Sequence, residues 1–318
     1  MRLFIAAVWL VANALPTPVA LWVADRLGDA VLALVKVHPR FSQSLPRTIR
    51  LALGSALPPR EVNRLARVHA RQIFETIFEV CQMRRLATAA GGDSPPQRRR
   101  QRHSSLPRGL CGGLYDGPIA RLDGLEHFKA AHQKGRGVVL VGAHLGNWEL
   151  LIAGLPLWVS APVATIVLRQ ADPVSNAFLQ QQRRLFGTKI IYSHGNPTPM
   201  ALQWLRNGGT LLLLADQHGE SRRNIVPFFG RDVSVPGGPV AFAQRSGAPL
   251  VPVYTVRERP GRHIVVFEPE LALVRTDDPG ADFKENCRRY IARFEKWILA
   301  HPEQWLWSYE RWAWLDRG

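Results

Sequence analysis

The residues in this sequence best suited to chemistry are His144 and Glu149, which follow a short apolar run at residues 138–142. A run of small and β-branched residues bounded by glycines is typical of a buried parallel strand. Asn147 is typical of the N-cap of a helix that follows it. His144 is therefore expected in the turn after the carboxyl end of a strand, where open α/β sheets bind ligands.

An imidazole needs a partner to act as a general base. Glu149, in the first turn of the helix, would be kept charged by the helix dipole. If the turn at Gly146 folds His144 back over the helix start, the carboxylate can accept a proton from one ring nitrogen and leave the other basic. We predict His144 as the base, Glu149 as its orienting partner, and the main-chain N–H of Gly146 as a candidate oxyanion donor. The competing interpretation is a hydrogen-bonded structural histidine, since this spacing also arises by chance.

The run Gly-Ala-His-Leu-Gly-Asn-Trp-Glu at 142–149 resembles the His-x4-Asp/Glu block of the glycerolipid acyltransferase superfamily. Its form is similar to that of the late acyltransferases of lipid A biosynthesis, the lauroyl and myristoyl transferases. The resemblance spans residues 118–314 and, more faintly, the N-terminus. Further blocks that carry it lie at 167–169, 183–187, 214–217, 226–230 and 301–307.

The resemblance implies a fold and a reaction. The fold would be α/β, with a mixed, mostly parallel sheet flanked by helices, similar to glycerol-3-phosphate acyltransferase. The reaction would move a fatty acyl chain from a thioester of acyl carrier protein or coenzyme A to a hydroxyl of a membrane glycolipid, with a lipid A precursor as the first candidate. No metal and no cofactor are expected beyond this co-substrate.

The pattern of elements agrees with such a fold. Apolar strands are predicted at 162–168, 189–192 and 210–215 between helices, followed by a hairpin at 250–256 and 263–267. Polar residues at the strand exits (His144, Arg169, Asp216) would meet in one crevice. By resemblance, Arg169 contacts a phosphate, and Asp216 positions substrate or other site residues. The full predicted set of substrate contacts is Asn147, Arg169, Asp216, Gln217, Phe228, Phe229 and Gly230.

A formal charge of +16 at 318 residues implies a polyanionic partner. An anionic membrane surface and a nucleic acid both attract Lys/Arg clusters, and we favour the membrane and expect no nucleic acid. Biased genome composition is the alternative explanation. Cys81, Cys111 and Cys287 are too far apart for a disulfide framework or a Cys-x2-Cys metal site, which fits a reducing compartment.

The N-terminal stretch at 3–24 is uncharged and long enough for a membrane span, although Pro16 and Pro18 interrupt it. We predict an uncleaved anchor or a membrane-embedded helix broken at the prolines; a signal peptide and a buried soluble helix pair are the rivals. Basic residues after it favour the cytoplasmic side of a bacterial inner membrane. The predicted divisions are an anchor or interfacial helix (1–36), a helical segment (37–86), a basic flexible loop (87–117) and the catalytic domain (118–318).

Two alternatives stay open. The same machinery could acylate a phosphatidylinositol mannoside or another glycolipid. From a different class, the chain could be a non-catalytic, basic membrane-surface or nucleic-acid-binding protein with an inert α/β core.

Overall fold

A computed structural model describes residues 2–37, 44–89, 119–159, 161–219 and 224–312. Four helices come first: α1 (Arg2–Ala14), α2 (Thr17–Val37), α3 (Ser44–Leu53) and α4 (Pro59–Ala89). The helix is interrupted between α1 and α2 at Pro16, as the prolines predict, because proline removes a helix hydrogen bond and restricts the preceding residue. None of the described helices combines the length and apolarity that crossing a membrane requires.

The N-terminal helices pack on one another through buried small residues and a few side-chain bonds. Arg71 of α4 binds Asp29 of α2 through two bonds of 2.9 and 2.7 Å. Gln82 of α4 donates to the main-chain oxygen of Ala12 in α1 at 2.6 Å. Helix α4 extends to Ala89, beyond the predicted end at 86. The rest of the predicted basic loop, from residue 90 onward, lies outside the described residues.

Strands and helices then alternate, as predicted. The order is β1 (Ile119–Asp123), α5 (Leu125–His132), β2 (Val138–Gly142), α6 (Trp148–Trp158), β3 (Val163–Val167), α7 (Pro173–Arg183), β4 (Lys189–Tyr192), α8 (Pro197–Arg206), β5 (Thr210–Leu214), β6 (Ile225–Phe228), β7 (Arg231–Ser234), α9 (Gly238–Ser246), β8 (Leu250–Arg259), β9 (Arg262–Phe267) and α10 (Pro279–Ala300).

The described sheet has the strand order β1-β9-β8-β2-β5-β3-β4. Strands β8, β2, β5, β3 and β4 run parallel, β9 returns antiparallel to β8, and β1 pairs parallel with β9. The mixed, mostly parallel α/β fold is therefore confirmed. A separate antiparallel pair, β6 and β7, was not predicted, because the sequence favoured a core block there.

Side chains of β2 alternate between two apolar layers. Val139 and Val141 pack with α8, α9 and α10 on one side, whereas Val138 and Leu140 pack with α5 and α6 on the other. Complete burial of this strand explains its continuous apolar sequence. The sheet thus presents the carboxyl ends of its parallel strands along one edge, where His144 lies.

Candidate active site

Asp216 holds the side chain of His144. The Oδ1 atom of Asp216 lies 2.7 Å from Nδ1 of His144. The other carboxylate oxygen, Oδ2, accepts from the main-chain N–H of His144 at 3.0 Å and from Nε1 of Trp305 at 2.8 Å. Asp216 is buried, so its acceptor atoms are committed to these partners. A carboxylate at Nδ1 fixes the ring orientation and favours the tautomer that carries its proton on that nitrogen.

The register of two neighbouring strands brings these residues together. Gly142, the last residue of β2, pairs with Leu214, the last residue of β5. The main-chain N–H of Ala215 extends the pairing by donating to the oxygen of Gly142 at 2.8 Å. His144 and Asp216 follow their strands by the same interval, so both reach the sheet edge at the same level.

The electrostatics keep Asp216 charged. Burial alone would raise its pKa, but the charge interaction and hydrogen bond with His144, together with the bond from Trp305, outweigh burial and lower the pKa. The carboxylate therefore remains an acceptor for Nδ1–H. The His144 side chain is 17% exposed, and within the described part of the chain Nε2 makes no hydrogen bond. This nitrogen can take a proton from an incoming hydroxyl group.

The predicted pairing of His144 with Glu149 is wrong. Glu149 accepts instead from Nε and Nη2 of Arg183 at 2.7 and 2.6 Å, in a buried bidentate ion pair. Helix α6 begins at Trp148, so Glu149 lies in its first turn on the side that packs against α7, which supplies Arg183. The predicted role as orienting partner belongs, in this geometry, to Asp216.

The loop between His144 and α6 is held by main-chain bonds. Gly146 has φ 59°, and an added Cβ would lie 2.4 Å from the oxygen of Thr255, which explains the glycine. Its N–H donates to the oxygen of Gln304 at 3.0 Å, so the predicted oxyanion role of that N–H is not supported. The main-chain N–H of Leu306 donates to the oxygen of His144 at 3.1 Å. The C-terminal segment therefore clamps the loop.

Asn147 is the N-cap of α6, as predicted: its Oδ1 accepts from the N–H of Leu150 at 2.9 Å. Its Nδ2 donates to Glu79 at 2.7 Å, and the residue is completely buried. Both ends of the amide are therefore committed to protein partners. The prediction that Asn147 contacts substrate is wrong for this conformation.

An apolar cavity of about 330 Å³ lies beside the histidine loop. Trp148 lines this cavity and also contacts the His144 ring edge-on, with 5.3 Å between ring centroids. Cys81 is in the wall, and burial raises the pKa of its thiol to about 12, which keeps it protonated and poorly nucleophilic. Four helices supply the wall residues: Ile5 and Val8 from α1, Ile73, Thr76, Ile77, Val80 and Cys81 from α4, Trp148 and Glu149 from α6, and Ser175, Phe178 and Leu179 from α7.

Comparison with known proteins agrees with the resemblance of the sequence blocks. The model of the bacterial lipid A biosynthesis acyltransferase family matches residues 1–313. The chain belongs to this family. It is 30% identical over 188 residues to the phosphatidylinositol mannoside acyltransferase of Mycobacterium tuberculosis strain H37Rv, covering 58% of this chain and 57% of the relative.

Two further relatives come from Escherichia coli K12. The lipid A biosynthesis palmitoleoyltransferase is 26% identical, with 60% of each chain covered, and the lauroyltransferase is 26% identical, covering 61% of this chain and 62% of the relative. The chain therefore matches somewhat less than two thirds of the length of these relatives. The solved structure of the 1-acyl-sn-glycerophosphate acyltransferase of Thermotoga maritima aligns with 89% of this chain and 97% of its own, with a TM-score of 0.35 and 14% identity.

Two other residues predicted to contact substrate, Arg169 and Gln217, follow strand ends near His144. Arg169 is exposed at the same sheet edge, with its guanidinium 4.7 Å from the centroid of the Tyr192 ring. Gln217 is half-buried beside Asp216. For both, the predicted substrate contact stays a prediction.

The Phe-Phe-Gly block does not line the cavity. Phe228 is completely buried and stacks on Trp312 with 5.8 Å between ring centroids. Phe229 has φ 52° and donates its N–H to Glu295, and Gly230 lies in the exposed turn before β7. The predicted substrate contact of Phe228 is therefore wrong in this conformation, and the block forms the turn of the β6–β7 pair.

Sequence reasoning missed Trp305 and Arg183 as members of the site. Trp305 is buried, and its Nε1 donates a hydrogen bond to Asp216. Its position in a block that resembles the family was the available signal. Within the described ranges, no group of three or more His, Cys, Asp and Glu residues could hold a metal ion.

Proposed function

We propose that this chain is an acyltransferase that moves a fatty acyl chain from an acyl thioester to a hydroxyl of a membrane glycolipid. The observation that carries the proposal is the His144–Asp216 pair, which leaves Nε2 of His144 without a hydrogen bond in the described part of the chain. The Trp148 ring contacts the imidazole and also lines the apolar cavity, so it lies between the two. Membership of the family supports the same reaction.

The reaction uses His144 as a general base. Its Nε2 takes the proton of the acceptor hydroxyl while the hydroxyl oxygen attacks the thioester carbonyl carbon. The C–S bond then breaks, and the imidazolium returns the proton to the leaving thiolate. Asp216 stabilises the imidazolium, a contribution of the kind that makes general-base catalysis worth about 10²–10⁴-fold. No covalent enzyme intermediate is needed.

The cavity suits the acyl chain of the donor. Its wall is almost entirely apolar, and burying each methylene group contributes about 0.8 kcal/mol. The thioester carbonyl would then lie near Trp148, within reach of an acceptor bound at the sheet edge. The donor would be a thioester of acyl carrier protein or coenzyme A.

The N-terminal helices suit a membrane surface. Helices α1 and α2 expose large apolar side chains that include Leu3, Leu10, Trp22 and Leu34. A helix pair of this type can lie in the interface with its apolar face among the acyl chains. The formal charge of +16 adds attraction to anionic lipids. We propose that the chain acts at the cytoplasmic face of a bacterial inner membrane.

Two acceptors have specific support. The family model favours a lipid A precursor, and the relative of 30% identity favours a phosphatidylinositol mannoside. Purified protein supplied with a labelled acyl thioester and either glycolipid distinguishes them by which lipid becomes labelled. Turnover that His144→Ala abolishes supports the enzyme. Salt-sensitive binding of a polyanion with no turnover on either lipid would instead support a non-catalytic binder.

A further inference from the structure

Glu79, on helix α4 of the N-terminal segment, is the centre of a buried polar cluster. Its Oε2 accepts from Nη2 of Arg257 at 2.9 Å, and its Oε1 lies 3.0 Å from Nε2 of His263. The main-chain N–H of Gly261 donates to the same Oε1 at 3.2 Å. Burial alone would raise the pKa of Glu79, but Arg257 and His263 outweigh it and hold the pKa well below its usual range. The carboxylate is therefore charged.

One contact of Glu79 leaves this cluster and reaches the catalytic loop. Nδ2 of Asn147 donates to Oε2 of Glu79 at 2.7 Å. The same amide caps α6 through Oδ1 and Leu150, so the carboxylate decides which way the amide points. Asn147 follows Gly146 directly, in the short loop that starts at His144. Glu79 thus fixes the end of the loop that the C-terminal segment does not clamp.

Arg257 links Glu79 to that clamp. The main-chain N–H of Arg257 donates to Oε1 of Gln304 at 2.7 Å, and Nε2 of Gln304 donates to the oxygen of Arg257 at 3.0 Å. The main-chain oxygen of Gln304 in turn accepts a hydrogen bond from the N–H of Gly146. The loop that starts at His144 is therefore held by two groups linked to Glu79. Asn147 contacts Glu79 directly, and Gln304 is linked to it through Arg257.

We propose that Glu79 is a positioning residue for acyl transfer: through Asn147 it sets the conformation of the loop that carries His144. Stability alone is a weak reason for such a cluster, since well-packed apolar side chains often serve as well as buried ion pairs. The inference rests on the proposed function of His144 as the base.

The chain offers a matched control on the same helix. Glu75 is also buried and lies 3.1 Å from Nε of Arg257. Burial raises its pKa to about 7, so a neutral replacement changes its charge less than at Glu79. Glu75→Gln and Glu79→Gln each remove one carboxylate facing Arg257. The contact with Asn147 belongs to Glu79.

The experiment measures kcat, the KM for a labelled acyl thioester and the melting temperature of each variant of the full chain. Glu79→Gln should lower kcat by about tenfold to a hundredfold, because a small displacement of a catalytic group has effects of that size. KM for the donor should change little, since the cavity is intact. Glu75→Gln should leave kcat close to wild type. Wild-type kcat in a folded Glu79→Gln variant overturns the proposal.

A reciprocal exchange separates positioning from general stabilisation. In the double variant Glu79→Gln/Asn147→Asp, the new amide donates to the new carboxylate, which still caps Leu150. It should regain part of the lost kcat; a double variant no faster than Glu79→Gln would mean that Glu79 acts through Arg257 and His263, against the proposal. If Glu79→Gln fails to fold, Asn147→Ser carries the test, because it keeps a capping oxygen and removes the amide N–H that donates to Glu79.

Asn147→Ser should also lose kcat, and wild-type kcat in that variant overturns the proposal. His144→Ala in the same assay separates the role of His144 as the base from the positioning role of Glu79. Turnover by His144→Ala refutes the base and the positioning role together. An inactive His144→Ala variant beside fully active Glu79→Gln and Asn147→Ser variants refutes the positioning role alone.

Discussion

Replacing Asp216 by asparagine tests the assignment of the histidine's partner. The Oδ2 position receives two N–H donors, from His144 and Trp305, whereas the Oδ1 position faces Nδ1 of the imidazole. The single oxygen of an asparagine should take the Oδ2 position, which turns the NH₂ group towards Nδ1. The imidazole must then carry its proton on Nε2. In that tautomer it is no longer a base.

The expected loss of kcat follows from the energy of the opposite amide orientation. That orientation would preserve the base, but it would leave the main-chain N–H of His144 and Nε1–H of Trp305 facing an NH₂ group. Each unpaired buried donor costs about 1–3 kcal/mol, so this orientation is disfavoured by at least about 2 kcal/mol, or roughly thirtyfold. The upper limit is the whole general-base contribution, about 10⁴-fold. We therefore expect kcat of Asp216→Asn to fall by a factor between these limits.

The assay is transfer from a labelled acyl thioester, with circular dichroism and melting temperature to show that the variant is folded. Asp282→Asn is the control, since Asp282 is another buried carboxylate, which accepts from Oγ1 of Thr276 at 2.8 Å. A folded Asp216→Asn variant with wild-type kcat would refute the pairing. So would a folded Glu149→Gln variant as inactive as His144→Ala, because Glu149 would then have to act on the imidazole.

Three other outcomes are expected. Glu149→Gln leaves Arg183 buried without its counter-charge and should destabilise the fold by about 3–5 kcal/mol in urea unfolding, whereas Glu149→Leu/Arg183→Met should recover most of that stability. Burial lowers the pKa of His69 to about 4, so the unfolded chain binds more protons between pH 6.5 and 4 and stability falls on acidification. The wild type should lose roughly 2 kcal/mol from this residue by pH 5, and His69→Asn should remove that part of the pH dependence. Asp substitutions at Leu10 and Trp22 should reduce flotation with anionic vesicles, and high salt should release the remaining bound protein, because each cation near the surface contributes about 1 kcal/mol.

Much of the α/β domain could be predicted because its signals are local. The continuous apolar run at Val138–Gly142 and the cap at Asn147 predict a strand and a helix start, and the structure has both. The β6–β7 pair was missed because its apolar residues follow no clear alternation and Phe229 adopts a positive φ, which sequence rarely reveals. The break at Pro16 was predicted from proline chemistry, whereas the packing of α2 on α4 depends on contacts between distant segments.

The partner of His144 was missed for a different physical reason. Proximity in sequence favoured Glu149. The direction of a side chain in the first turn of a helix, however, depends on how that helix packs, and the packing of α6 directs Glu149 towards Arg183 of α7. Asp216 is distant in sequence and becomes a neighbour because β2 and β5 are adjacent and in register. Strand order in a parallel sheet depends on the crossovers of the whole domain, so local spacing cannot supply it. Once the strand order is known, two polar residues that follow adjacent strands by the same number of residues can therefore be predicted as a catalytic pair.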